Sequence, residues 1–346
     1  MRGTAAVSTI QEVAERAGVA KSTASLAFSS PERVSEQTRK RIRDAAEALG
    51  YRPNALAQSL RAGRSRLIGL VMADTRNPFN GEILQQVQEA ALEHGHMVVA
   101  STTNEDAGRE RKVLDELAAL RVAGILLVPH SSDPGFLAYL KQLKPRIALI
   151  DQALDGFDAD VVTSDSHLGA SMLTGHLLGL GHERIAHIAG SPGLWTSEQR
   201  RSGYESTLRA AGLSPAPDLI LHGDFRGQSG YEQAMRLLTR PDRPTAIFAA
   251  NNFMALGALK AMEDLSIRCP QDVSLVSFDD VPWGDVVKPR LTCVAQPVPE
   301  IARLSVRWLL ERISGSDDGA GPPRSKRFIP TLIRGASTAP PSGISA

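Results

Sequence analysis

The sequence predicts an all-α helix-turn-helix headpiece at the N-terminus, followed by an α/β core of two doubly wound parallel-sheet lobes. Three observations carry this. Short amphipathic helices with a glycine-containing turn fill the stretch 9–50. From Leu67 onward short apolar strands alternate with helices, the signature of βαβ units and parallel sheet. That alternation runs for about 270 residues, more than one typical doubly wound sheet uses, so it divides into two lobes.

The headpiece elements follow in order. Thr9-Ile10-Gln11-Glu12 fits a capping box, in which Thr9 caps the amide three residues on and Glu12 reaches back. Ile10, Val13, Ala14 and Ala17 then share one helix face, and Gly18 ends the helix because glycine accepts a left-handed turn. After Gly18-Val19-Ala20, the stretch from Lys21 to Ala27 forms a second helix. Ser35 caps a third, with Ile42, Ala45, Ala46 and Leu49 inward and Gly50 closing it. Tyr51-Arg52-Pro53-Asn54 breaks that helix. Ala55 to Leu60 is too short for a stable isolated helix and would order only against a partner. The headpiece is therefore placed at 8–52, and a hinge helix with a basic linker at 53–66.

In the core, strand candidates are 67–73, 97–101, 124–128, 147–151 and 161–163, then 185–189, 219–221, 246–249, 274–278 and 293–296. Helices lie between them, at 79–94, 108–120, 168–180, 199–211, 227–238 and 253–265. In open parallel sheets ligands sit beyond the carboxyl ends of the strands. The core is bounded at 67–335, and the Ala, Ser, Pro and Gly of 336–346 read as a disordered tail.

Net charge is +1, yet it is unevenly spread. Residues 1–66 carry 12 Lys/Arg against 6 Asp/Glu, so a basic head precedes an acidic body. Such a head suits a polyanion, although a solvated charged face accounts for the charge equally well. Two cysteines, Cys269 and Cys293, make neither a disulfide framework nor metal-ligand spacing, and no cofactor or metal is expected. No apolar run reaches the roughly 18 residues needed to span a bilayer. The stretch from Met1 to Ser8 lacks the apolar core of a signal peptide, so a cytoplasmic location is expected.

Several strings together resemble the LacI/GalR family of transcriptional regulators. In the headpiece these are Thr9-Ile10-Gln11-Glu12-Val13-Ala14, Ala17-Gly18-Val19, Lys21-Ser22-Thr23, Val34-Ser35 with Thr38-Arg39, and Leu49-Gly50-Tyr51-Arg52-Pro53-Asn54. The body is similar at Asn77-Pro78-Phe79, Ile188-Ala189-Gly190, Arg200-Arg201-Ser202-Gly203-Tyr204 and Ala255-Leu256-Gly257, so the likeness runs from about Ser8 to Arg334. The resemblance implies a periplasmic-binding-protein-like core and a homodimer, with tetramers in some members. It also implies chain crossings near Asp165, Leu291 and Arg324, giving an N-lobe of 67–165 with 294–324 and a C-lobe of 166–292 with 325–335.

A helix-turn-helix puts its second helix in the major groove, where Lys21, Ser22 and Ser25 would meet base edges. Thr23, Arg39, Tyr51 and Asn54 would hold phosphates, which set register, and Thr9 is a further DNA-binding candidate; a local cap is the alternative role for Thr23. Family members usually carry Arg where this chain has Leu26, which can only touch a thymine methyl or pack. The resemblance further implies that Leu60, beside Ala57 on the hinge helix, wedges into the minor groove at the centre of a near-palindromic operator. Leu56 and Leu60, a turn apart, could instead form only a dimer seam.

For the cleft, the resemblance assigns effector contacts to Arg200 and Asp279, to Asn251 and Phe225 as a polar and an aromatic wall, and to Asp151, Phe79 and Asn80. Trp195 and His130 join them as candidates near the mouth. Asp, Asn and Arg are the fixed donors and acceptors that sugar hydroxyls need, and aromatic faces stack on apolar sugar faces. Asp279 as a strand-end cap, Phe225 as core and His130 as a loop residue are the plainer alternatives. Asn252 stands where many members have Asp, and Leu194 where purine-responsive members carry a polar contact; with Trp195 and Trp283 these favour a sugar or sugar derivative.

The expected protein is thus a DNA-binding regulator, most simply a repressor, switched by a small molecule between its lobes. A core answering to a protein partner or to no ligand is the nearest alternative. An exported solute-binding protein lacks a reason for the headpiece. An enzyme lacks its motifs: no GxGxxG follows the first strand, and neither a phosphate loop nor a nucleophile elbow is present.

Overall fold

The computed structural model describes residues 8–52, 65–315 and 321–342. They fall into two compact units divided between Arg66 and Leu67. The first unit contains α1 (Ile10–Ala17), α2 (Lys21–Ser29), a 3₁₀ turn at Pro31–Arg33 and α3 (Glu36–Ala48). The capping box forms as the sequence requires: the Thr9 amide donates to Glu12 Oε2 at 2.7 Å and the Glu12 amide to Thr9 Oγ1 at 3.3 Å. Gly18 closes α1 at φ 62°, a conformation that favours glycine. Val13, Ala14, Ala24, Ile42 and Ala46 meet at the centre of the three helices, with Leu26, Phe28 and Tyr51 packed on its rim.

The second unit holds two six-stranded sheets among the described residues. The chain first lays down β1 (Leu67–Met72), β2 (Met97–Thr102), β3 (Gly124–Leu127), β4 (Arg146–Ile150) and β5 (Asp160–Ser164). Helices α4 (Pro78–Glu93), α5 (Ala107–Ala119) and α6 (Pro134–Gln142) connect them. After α7 (Ser166–Gly179) come β6 (Ile185–Ala189), α8 (Trp195–Ala210), β7 (Ile220–His222), α9 (Gly227–Leu238), β8 (Ala246–Ala249), α10 (Asn252–Asp264), β9 (Ser274–Phe278) and β10 (Thr292–Ala295). Finally α11 (Val298–Ser314), β11 (Ser325–Phe328) and β12 (Thr331–Ile333) complete both lobes. The orders are β11-β5-β4-β3-β1-β2 and β12-β10-β9-β8-β6-β7. Described pairings are parallel except β10 with β12. Strands buried on both faces, such as Ala-Ile-Phe-Ala of β8, have no polar alternation because helices cover each side.

Two lobe boundaries differ from expectation. The second crossing lies after Ala295, because β10 pairs with β9 in the C-lobe. The third lies after Phe328 instead of at Arg324, because β11 pairs with β5 in the N-lobe. The cause is ionic. Asp160, whose side chain is 1% exposed, accepts from Arg312 Nη2 at 2.7 Å and Arg324 Nη2 at 2.6 Å, which draws β11 alongside β5. These guanidiniums hold the Asp160 carboxyl down at about 2 against its burial.

The expected disordered tail is also corrected. Residues 336–342 are ordered against the C-lobe, and 343–346 lie outside the described residues. Ser337 is fully buried: the Leu275 amide donates to its carbonyl at 2.9 Å, and the Thr292 amide to its Oγ at 2.8 Å. His182 Nε2 and Ser274 Oγ meet the Ala339 carbonyl at 2.9 and 3.1 Å. A composition of Ala, Ser and Pro hides this, because the backbone and hydroxyls do the pairing. No described helix is long and apolar enough to cross a membrane.

Replacing Asp160 removes the negative charge and one acceptor oxygen that Arg312 and Arg324 share, so Asp160→Asn is expected to lower the core's unfolding free energy by about 2–3 kcal/mol in urea titrations. Because the folded carboxyl titrates below its unfolded value, the wild type loses this contribution as pH falls from about 4 towards 2, and the variant does not. A chain ending at Gly335 strips partners from the Leu275 and Thr292 amides and is expected to lose at least about 2 kcal/mol in the same measurement.

Candidate functional site

Within the core unit, the carboxyl ends of strands from both sheets converge on a cavity of about 580 Å³. Asp74 follows β1, Asn104 and Glu105 follow β2, His130 follows β3, Asp151 and Gln152 follow β4, Asn251 follows β8, and Asp279 follows β9. Five wall residues hold left-handed backbone: Asn104 at φ 52°, Glu105 at 62°, Asp151 at 67°, Phe225 at 62° and Asp279 at 65°. Non-glycine residues there cost of order 1–3 kcal/mol, so surrounding contacts must fix them.

Arg200 of α8 is the centre of those contacts. Its side chain is 5% exposed, and its guanidinium lies 3.7 Å from the centroid of the Phe278 ring. Nη1 donates to the Ala250 carbonyl at 2.6 Å and stands 4.0 Å from Asp279 Oδ2, while Nε has no partner. Gln296 donates to Asp279 Oδ1 at 2.6 Å. Asp151 is different: among the described residues no hydrogen bond reaches its carboxyl, and its Oδ1 is buried without a partner. Burial, reinforced by Asp279 and opposed by Arg200, pushes Asp151 up to about 7. Burial also raises Asp279, against Arg200 and Gln296.

The wall is built by residues whose polar groups are already engaged. Asn251 accepts from the Met254 amide as the α10 cap and donates Nδ2 to the Phe225 carbonyl at 2.8 Å, fixing that left-handed turn. Gly190 makes room beside it, since a Cβ there would lie 2.0 Å from the Phe225 ring. Glu110, fully buried on α5, accepts from the His130 and Ser131 amides at 2.9 and 3.0 Å and so holds the His130 loop. Asn80 donates to the Asp74 carbonyl at 2.7 Å.

Phe79, Asn80, His130, Asp151, Arg200, Phe225, Asn251 and Asp279 all line the cavity. Trp195 does not, and its expected place there is corrected. It is the first residue of α8, and the Arg327 guanidinium lies 5.3 Å from its ring; Leu194 and Thr196 on either side face the cavity instead. Asn252 explains its own departure. Its Nδ2 donates to Asn77 Oδ1 at 3.1 Å, bridging the lobes, which a carboxylate in its place has no hydrogen to do.

In the headpiece, Thr9, Lys21 and Ser22 are exposed, and Thr23, Ser25, Leu26, Arg39 and Tyr51 are partly buried. Leu26 packs against the headpiece core, and Tyr51 sits 5.8 Å from Phe28. Arg39 donates to the Pro31 carbonyl at 3.3 Å. Asn54, Ala57 and Leu60 lie outside the described residues.

Residues 9–54 match the model of bacterial regulatory proteins, lacI family, and residues 174–338 that of a periplasmic binding protein-like domain. The repressor PurR of Pectobacterium carotovorum subsp. carotovorum (strain PC1) is 30% identical over 96% of this chain and 97% of its own length. The chain belongs to the LacI family of bacterial regulatory proteins. Among solved structures, a lac repressor dimer bound to operator and an anti-inducer superposes with a TM-score of 0.85 at 26% identity, covering 96% of this chain and 99% of the other. A regulator CelR in complex with cellobiose gives 0.73 at 29% identity, over 95% and 99%. As a LacI-family member the chain is a DNA-binding transcription regulator.

The cavity of this LacI-family core includes residues that the sequence reading passed over: Asp74, Arg76, Asn104, Glu105, Gln152 and Arg226. Asp74, Asn104, Glu105 and Gln152 lie within three residues of a strand end, so the rule that ligands sit beyond strand ends would have found them.

A carboxyl raised above its unfolded value stabilises the fold fully at low pH and loses that contribution as pH climbs through the folded value. Asp151 should therefore weaken the ligand-free core between about pH 4 and 7. Asp151→Asn is expected to flatten that part of the unfolding midpoint's pH profile; an unchanged slope would show that Asp151 stays ionised.

Proposed function

We propose that this chain represses transcription by binding a near-palindromic operator as a homodimer, and that a sugar or sugar derivative in the cleft switches its operator affinity. The observation that carries the effector half is Arg200 buried between Asp279 of one lobe and Asp151 of the other, at strand ends aimed into a 580 Å³ cavity. A buried cation flanked by acceptors suits a small ligand rich in hydroxyls. The relative seen with cellobiose supports this choice, and the lac repressor dimer on its operator supports the dimer and the two-fold site.

On the DNA side, Lys21 and Ser22 project from the start of α2 and read base edges, with Ser25 beside them. Thr9, Thr23, Arg39 and Tyr51 set register through phosphates, and the hinge residues Asn54, Ala57 and Leu60 contribute from the segment after Arg52. Leu26, packed on the headpiece core, leaves one usual base contact unmade, so the operator departs from the family's commonest half-site. The protein acts in the cytoplasm, where its DNA is.

The switch follows from linkage: a ligand moves the equilibrium only by its differential affinity for two lobe arrangements. The bridges Asn252–Asn77, Thr196–Gln152 and Arg226–Glu105 hold one such arrangement.

Two measurements test this. Gel shifts of the dimer with operator DNA should change with a member of a broad sugar panel, and indifference to all would sink the effector half. Lys21→Ala and Ser22→Ala should alter sequence preference, with about 1–3 kcal/mol lost at one base position. Uniform weakening on every sequence would reduce them to backbone contacts.

A further inference from the structure

The crossings between the lobes leave from β5, β10 and β11, which lie at one side of each sheet. At the opposite edges are β2 in the N-lobe and β7 in the C-lobe, four strand spacings from β5 and β10 respectively. At about 4.8 Å per spacing, those edges stand roughly 19 Å from the crossing strands. Arg226, four residues after β7, reaches across to Asn104 and Glu105, which follow β2. Its Nη2 donates to the Asn104 carbonyl and to Glu105 Oε2, at 3.4 Å each. Two successive left-handed residues, Asn104 at φ 52° and Glu105 at 62°, thus present both acceptors to one nitrogen. The neighbouring carboxylates are engaged elsewhere. Asp74 pairs with Arg76 at 2.6 Å, and Asp224 accepts from the Arg226 amide at 3.0 Å and from Ser229 Oγ, which anchors the base of the Arg226 side chain.

We infer that Arg226 is an ionic clasp across the mouth of the cleft, holding the lobes together at the rim where opening displaces them most. A relative rotation of about 10° about the crossings parts atoms roughly 19 Å away by roughly 3 Å, enough to break the contact. The clasp is weak by construction. Its side chains are 51% and 19% exposed, and a pair so exposed shifts an equilibrium by about twofold to fivefold and is screened by salt. It therefore biases the lobes without locking them, and its grip loosens as ionic strength rises. All three residues line the cavity, so the clasp governs access to the effector site proposed above. That regulatory meaning rests on the effector reading, whereas the clasp itself rests only on contacts within the core.

Double electron–electron resonance tests this in the full-length chain with no sugar added. Spin labels go on Arg109→Cys and Glu232→Cys, exposed positions of α5 and α9, the helices that begin just after the clasp residues. The half-buried Cys269 is replaced by Cys269→Ser, and labelled dimers are diluted with unlabelled chain. At low salt one short distance should dominate. Arg226→Glu sets two acids face to face and should raise the ratio of long to short distances at least about fivefold. Adding Glu105→Arg restores opposite charges and should bring the short distance back. Sodium chloride at about 0.5 M should move the wild type towards the longer distance. Distances that ignore Arg226→Glu overturn the clasp, and failure of Glu105→Arg to reverse the change overturns the pairing that defines it. Failure of the effector reading looks different: no sugar alters operator binding, while the distances, measured without sugar, still decide the clasp.

Discussion

A guanidinium shut away from water fixes the interior of this core. Removing a full charge from solvent costs several kcal/mol unless acceptors and opposite charge surround it. For Arg200 these are the Ala250 carbonyl, Asp279 and the face of Phe278. Much of the neighbourhood then has no freedom. Asp279 must turn through left-handed backbone to face the cation, and Gln296 must reach back to satisfy its other oxygen. Gln296 directly follows β10, where the chain passes from one lobe to the other. The charge in the cleft is therefore mechanically tied to a hinge, which is what a ligand-sensitive core requires.

The alternation of apolar strands and helices made the lobes legible, because strands buried on both faces announce themselves as short apolar runs. β6, β8 and β9 have the bounds that the sequence indicated. What the apolar pattern could not reveal was structure held by polar atoms. β11 reads Ser-Lys-Arg-Phe and is largely exposed, and its place depends on Arg324 meeting Asp160. The tail was misjudged for the same reason, since Ser337 is buried by hydrogen bonds and not by hydrophobicity. In the cleft, strand-end Asp residues and Arg200 were visible by motif. Trp195 misled because an aromatic next to cavity residues on a helix start can point the other way, here towards Arg327. Residues such as Glu105 and Arg226 matter through a partner distant in sequence, which no local pattern records.

The headpiece shows the converse division. Its scaffold is written in short-range signals, the Thr9–Glu12 box and Gly18, and these form as written. Its reading surface is sparse. Lys21 is the sole charged residue of α2, and Leu26 is turned to packing. On the proposed reading, base discrimination rests on few side chains, and phosphate neutralisation by the surrounding basic residues carries more of the affinity, so salt should weaken binding strongly.

The late return of the chain to both sheets bears on how the molecule is made. β11 supplies an edge of the N-lobe and β12 an edge of the C-lobe, and both come from Ser325 onward. While a ribosome still covers that segment, neither sheet has its full complement of strands, although most of each lobe has already emerged. A copy in which this segment has not yet docked presents two open strand edges that invite pairing with a neighbour.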